Sequence, residues 1–342
     1  MTHQALDSER TFRITPRGAY SLEASARFLC GFTPAAGASV KLDDGRLVLG
    51  FLDEKRHVPV TVALGQATVD GVVAGEISGA ASREETATIT RQVARLLSLD
   101  HDGRGLAEIG GHDAVVARLL AAAPRFRPVC FPSPYEAAVW GVLAQRIAMP
   151  VAAAIKQRLA AATGTLAGGF GRTFHPAPTP ERLLALDSFQ GVSAEKMSRL
   201  HAVALAALDG KLDAERLRAL PLARAVEELR AIRGVGPWTA EHIVLRGCGA
   251  IDELPTKEPR VLRGLAEAYA LDATPTAEEA LVIAERWRPY RMWVAVLVVM
   301  GLRGSTGWNA PRVASRDRSP SRSRSRGIEH TRARSKQIDT RS

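Results

Sequence analysis

A mainly helical protein with a small α+β unit at its N-terminus is the fold class this sequence predicts, and three observations predict it. The composition is rich in Ala and Leu, 46% apolar and only 5% aromatic, which suits packed helices. Asp-Gly turns between short apolar runs end by about residue 71. From about Glu84 to about Arg303 the apolar residues recur at helical spacing instead.

The elements follow in order. TFRITP (11–16) reads as a short strand and SLEASARFLCGF (21–32) as a helix. SVKLDDGRLVLGFL (39–52) reads as strand, Asp-Gly turn and strand, and VPVTVAL (58–64) runs toward the second Asp-Gly turn at 70–71. Nothing in these runs gives the order of strands in the sheet. FPSPYEAAVWGVLAQRIAM (131–149) opens a helix with Ser133 as cap, Pro134 at the first position and Glu136 completing a capping box. PTPERLLAL (178–186) repeats the device with Thr179 and Pro180, and TPTAEEALVIAERW (274–287) starts from Thr274 or Thr276. The expected organisation is an N-terminal α+β domain over 1–110, a helical domain of roughly ten short helices over 111–304 and a Ser/Arg-rich disordered tail over 305–342.

Composition excludes several classes of function. No run is long enough for a membrane helix, so WVAVLVVMGL (293–302) reads as buried. The first sixteen residues lack the layout of a secretion signal, and Cys30, Cys130 and Cys248 show no paired spacing. A cytoplasmic, nucleoid-associated protein without metal or other cofactor is the expectation. The net charge of +10 is mostly in the tail, where ten Lys and Arg stand against three Asp and Glu. Such an arm adds non-specific phosphate attraction or is a dispensable extension.

The informative stretch is AIRGVGPWTA (231–240). An amphipathic helix with Val226, Leu229 and Ile232 on one face meets Gly234-Val235-Gly236, and Pro237 begins a second helix. Glycines let the main chain turn tightly and approach a partner, while the next helix offers unpaired N–H groups and positive dipole character. A DNA phosphate fits such a corner, with a monovalent cation as a possible structural aid, and no base is read. The ordinary alternative is a helical corner with a glycine stop; Ile232, Thr239 and Ala240 in their places favour DNA contact through Gly234, Val235, Gly236 and Thr239.

On these residues the chain resembles the helix–hairpin–helix DNA glycosylase superfamily, within it most like bacterial 3-methyladenine DNA glycosylases. SPYEAAVWGVLAQRIAMPVAAAI, IRGVGPWTAEHIVLRG and AERWRPYRMWVAVLV carry the likeness. The resemblance implies two helical subdomains around a cleft, a monomer acting on double-stranded DNA with damaged bases, and hydrolysis of the N-glycosidic bond of a base flipped into a pocket. It places the catalytic carboxylate of the family at Glu258, where the family has aspartate. An ionised carboxylate about 4 Å from developing sugar charge, at an effective dielectric near 20, attracts it by roughly 4 kcal/mol, about a thousandfold in rate. The alternative for Glu258 is a helix-terminal acid and nothing more; Asp252 is a rival carboxylate, on the other side of Pro255.

The resemblance assigns further roles. Lyase members carry a Schiff-base lysine where this chain has Trp238, which implies a monofunctional enzyme; Lys257 is displaced from that position. Trp238 is a stacking platform for an electron-poor base or a core residue closing the hairpin. Tyr290 and Trp293 join the expected base pocket, whereas Val299 and Met300 stand where the family has aromatics. Gln145 and Arg146 occupy the expected minor-groove and wedge positions, against the alternative of a solvated helix end. A non-catalytic binder of damaged or distorted DNA, or a glycosylase for another lesion, stays open.

Overall fold

The computed structural model describes residues 10–41 and 44–305. The stretch read above as a disordered tail lies outside the described residues, apart from Ser305, which closes the last helix.

Short alternating runs make the sheet. β1 (Thr11–Ile14), then after α1 (Leu22–Gly31) the strands β2 (Ser39–Lys41), β3 (Leu47–Leu52), β4 (Pro59–Gln66) and β5 (Val73–Ile77), pair antiparallel in the order β1-β5-β4-β3-β2. Leu49 lies opposite Val62, and Phe12 opposite Gly75. The sequence VAGEI of β5 alternates too weakly to be read as a strand, yet it pairs with both β4 and β1. Helix α2 (Arg83–Leu96) opens on a full capping box between Ser82 and Glu85. Together α1 and α2 cover one face of the sheet through Phe28, Leu29, Ile89, Val93 and Leu96.

The helical body runs through α3 (Leu106–His112), α4 (Ala114–Ala122), α5 (Pro134–Leu143) and α6 (Met149–Ala162). A two-stranded ribbon, β6 (Ala167–Gly169) with β7 (Arg172–Phe174), then corrects the all-helical reading of this region. Its Ala167 and Phe174 pack on Val48 and Ala63, so the sheet is covered on its second face and all six residues of β3 are buried. There follow α7 (Pro180–Leu184), α8 (Ala194–Leu208), α9 (Ala214–Arg218), α10 (Leu222–Arg230), α11 (Pro237–His242) and a π-helical turn over Ile243–Gly247. Last come α12 (Pro259–Tyr269), α13 (Ala277–Ala284) and α14 (Arg291–Ser305). Eleven of these helices, α4 to α14, start within 111–304, against the roughly ten expected there; the five-residue α9 is too short to show a period.

Caps hold the helix starts, with one correction. Thr276 and Glu279 form a capping box on α13, and Thr179 caps α7. At α5, Ser133 Oγ accepts from Glu136 N at 3.1 Å, but the Glu136 carboxylate does not reach back. It turns inward to accept from Leu52 N at 3.0 Å and Ala177 N at 3.4 Å, tying body to sheet.

Two helical cores result. One surrounds α5, whose ten residues are all buried, and includes α6, α8 and the α10–α11 pair. The other joins α3, α4, α12, α13 and α14 around Trp287 and Trp293. Among the described residues no helix is long and apolar enough to cross a membrane.

Candidate active site in the cleft beside the hairpin

The hairpin is built by a break that the sequence forces. Helix α10 ends at Arg230, Val235 N–H bonds to Ile232 O at 3.0 Å, and α11 restarts at Pro237. Gly234 has φ +87°, and a Cβ there would meet Arg199 Cγ at 2.5 Å, so the corner requires glycine twice over. Ile232 and Val235 are buried and anchor the turn. The N–H groups of Gly236, Trp238 and Thr239 have no partner among the described residues, which leaves three main-chain donors at the corner.

A lashing fixes this corner to the end of α5. Gln145 Nε2 donates to Gly234 O at 2.9 Å and its Oε1 accepts from Arg199 NH1 at 2.7 Å. Lys196 Nζ donates to Leu143 O at 2.9 Å and Gln145 O at 3.0 Å. Thr239 packs on Gly141 of α5, where a Cβ would meet Thr239 Cγ2 at 2.8 Å.

A cleft of about 280 Å³ lies between the two cores and α1. Trp238, Glu241, His242 and Arg246 line it from the hairpin side, Glu258 and Arg260 from the start of α12, and Phe28 and Phe32 from α1. Met149, Met292, Val299 and Met300 add flexible apolar surface.

Glu258 is the N-cap of α12, its Oε1 accepting from Arg260 N at 3.2 Å. The same oxygen accepts from Arg260 Nε at 2.7 Å, and Oε2 accepts from Arg260 NH2 at 3.0 Å and Trp238 Nε1 at 3.3 Å. Burial pushes this carboxyl up, but the bonds and charge of Arg260, helped by Trp238, outweigh it and hold Glu258 below the ordinary carboxylate value. It is ionised at neutral pH.

Trp238 stacks face to face on His242, ring centres 4.8 Å apart and planes 10° apart. Phe131 meets the same imidazole edge-on at 5.2 Å. Burial, then the Arg246 charge, pull His242 down to about 3, so the ring is neutral, and its buried Nε2 has no partner among the described residues. Glu241 is a second cleft carboxyl, raised by burial and eased by Lys257, whose Nζ lies 3.4 Å from its Oε1.

No protein-family profile matches the chain. It is 32% identical over 209 residues to the "Probable bifunctional transcriptional activator/DNA repair enzyme AlkA" of Mycobacterium tuberculosis, a match covering 60% of this chain and 41% of that protein. It is 24% identical over 215 residues to a "DNA-3-methyladenine glycosylase" of Bacillus subtilis, covering 62% of this chain and 70% of that one. The solved structure of a 3-methyladenine DNA-glycosylase from Archaeoglobus fulgidus superposes with a TM-score of 0.68 at 19% identity, over 85% of this chain and 98% of that one. The chain shares the fold of that solved glycosylase and is similar in sequence to these curated relatives. It spans about two-fifths of the length of the curated relatives it first matches.

The expected site residues divide into those that reach the cleft or the corner and those that do not. Glu258 and Trp238 meet in the cleft, and Gly234, Val235 and Gly236 form the corner. Val235 and Thr239 have buried side chains, so their offering to a partner is main chain alone. Arg146 is exposed at the turn after α5, with φ +58° and no hydrogen bond or ion pair among the described residues. Gln145 is corrected from groove reader to strut, because both ends of its amide are consumed by the lashing.

Tyr290 and Trp293 are corrected outright. Tyr290 donates to Asp102 O at 2.7 Å, and Trp293 is 1% exposed in the second core beneath Arg127. Trp293 on α14 and Tyr290 just before it are turned from the cleft, while Met292, Val296 and Val299 face it. Sequence reading missed His242, although it lies four residues after Trp238 on one helix and so shares its face. It missed Phe28 and Phe32 for want of any local signal, since only tertiary docking brings α1 to the cleft.

Proposed function

We propose that this protein is a monofunctional DNA glycosylase that hydrolyses the N-glycosidic bond of alkylated, 3-methyladenine-like bases in double-stranded DNA. The observation that carries the reading is the bond between Trp238 of the hairpin helix and Glu258 at the head of α12, 3.3 Å long, inside a cleft large enough for a base. It joins a corner suited to backbone phosphate with an ionised carboxylate. Curated relatives bearing the name DNA-3-methyladenine glycosylase support the substrate class.

In this reading the corner presents the N–H groups of Gly236, Trp238 and Thr239 to a phosphate, and Arg146 enters the space that the flipped base leaves. The everted base stacks in the apolar cleft, where a cationic alkylated ring is favoured by the indole face of Trp238. Glu258 faces the sugar, stabilises the positive charge that grows as the bond breaks, and orients water. A cation at the corner would need main-chain carbonyls, of which those of Ile232 and Gly234 already accept one bond each; no step runs through it. Trp238 cannot form an imine and Lys257 is engaged by Glu241, so no lyase step follows and borohydride reduction traps no covalent complex.

The decisive experiment is Glu258→Gln on methylated duplex. Release of methylated bases, scored as alkali-labile strand breaks, falls about a thousandfold while duplex affinity holds. Unchanged release removes Glu258 from the mechanism. One observation favours a second reading, a non-catalytic binder of damaged DNA: the carboxylate is neutralised by Arg260 at 2.7 Å. Absence of strand breaks with wild-type protein would select it.

A further inference from the structure

Glu258 is fully occupied in the DNA-free protein. Its two oxygens accept from Arg260 N, Arg260 Nε, Arg260 NH2 and Trp238 Nε1, which uses about the four acceptor sites a carboxylate has. So held, it offers no oxygen to water, and a guanidinium at contact distance cancels its charge. The reaction proposed above needs that carboxylate bare. The following inference rests on that reading of Glu258.

The guanidinium is placed to leave. The Arg260 side chain is 39% exposed and that of Glu258 only 16%, so the arginine covers the carboxylate from the solvent side. Its NH1 has no partner among the described residues, and Glu258 is its one ion-pair partner there. A guanidinium gives up a bidentate carboxylate for an anion of matching geometry, and a phosphodiester is such an anion. The Trp238–Glu258 bond sets Arg260 beside the hairpin corner, so a strand held by its phosphates at the corner brings further phosphates within reach of the arginine.

We propose that Arg260 is a phosphate-exchanged clamp, holding Glu258 in the free protein and passing to a backbone phosphate of the damaged strand when the duplex seats. After the exchange Glu258 keeps its bonds to Trp238 and to the Arg260 main chain, which preserve its position, and regains free lone pairs and an uncancelled charge. An alkylated nucleoside without flanking phosphates cannot trigger the exchange and is not hydrolysed.

The test uses the full chain and a duplex with one tetrahydrofuran abasic-site analogue, so that no turnover is needed. Between 50 and 200 mM salt, the slope of log Kd against log salt falls by about one in Arg260→Gln and is kept in Arg260→Lys. Carboxyl-carbon NMR follows Glu258 directly: it titrates low in the free wild type, and on DNA binding moves up to where free Arg260→Gln titrates. Glu241, His242 and Arg246 on the hairpin side and Lys257 before it also face this end of the cleft and are common to all arms. An unchanged slope in Arg260→Gln, or a Glu258 titration that DNA does not move, overturns the proposal. Should Arg260→Gln not fold, the wild-type titration with and without DNA decides alone. An inactive wild type on methylated duplex would remove the glycosylase reading and leave slope and titration to judge the clamp, so the two failures are told apart.

Discussion

Two carboxylates bracket the segment from 252 to 258, each held by arginine, and they are built for different ends. Asp252 takes Arg291 Nε at 2.9 Å and Arg288 NH1 at 2.8 Å, and Arg291 also reaches the Asp252 carbonyl. Arg291 has 6% of its side chain exposed. Glu258 has a single arginine, 39% exposed. A buried guanidinium has no competing partner, so Asp252 is a brace fixing the segment to the start of α14; a half-exposed one can exchange. What separates a brace from a reactive group is therefore the solvent access of its partner more than its own charge or exposure.

Stability measurements should show the largest contrast. Arg291→Met removes a buried guanidinium from the Asp252 carbonyl and from a carboxylate that keeps Arg288, and is expected to cost about 1.5–3 kcal/mol in unfolding experiments. Arg260→Met removes a half-exposed partner and lets water reach the carboxylate it covered, and is expected to cost under about 1 kcal/mol. Equal losses would break the comparison. A smaller effect comes at the corner itself. Gly234→Ala forces a side chain into φ +87° against Arg199 and should lose about 1–2 kcal/mol together with duplex affinity. Gly236→Ala, with φ −80° and open space around its Cβ, should leave stability within about 0.5 kcal/mol and weaken DNA binding alone. Loss of stability in both would mean that the corner is merely structural.

Local chemistry was legible and docking was not. The hairpin and the cap at Ser133 could be anticipated because glycine, proline and N-cap chemistry act within a few residues; the bond between Trp238 and Glu258 could not. Strand β5 and the β6–β7 ribbon escaped because VAGEI and AGG carry little apolar pattern, and part of what holds them, β1 against β5 and Val48 and Ala63 beneath the ribbon, comes from far earlier in the chain. Tyr290 and Trp293 were misplaced for a related reason. The apolar run WVAVLVVMGL located α14, but which of its faces meets the cleft is decided by how α14 packs against α3 and α12. Glu136 looked like a capping-box acid, and only the sheet behind it explains why its carboxylate turns inward.

The cleft end of the segment carries one more group whose behaviour can be measured, the imidazole stacked on Trp238. The fold disfavours protonated His242, first by burial and then by the charge of Arg246, and its value is pulled down to about 3. Unfolded, the same residue titrates near 6.5. Above pH 6.5 both states are neutral and His242 contributes nothing to the pH dependence. As the pH falls from 6.5 toward 3, only the unfolded chain takes up the proton, so stability drops by about 1.4 kcal/mol per pH unit from this group. His242→Phe keeps a ring against Trp238 and removes the titration. Its unfolding free energy between pH 6.5 and 4 should fall less steeply than wild type by that amount, with little change at pH 8. Parallel profiles would mean that His242 is protonated in the fold, and that the cleft end is wetter and more anionic than its packing indicates. The neutral imidazole would then be lost as a reason why an aromatic, cation-accepting wall stands beside Glu258.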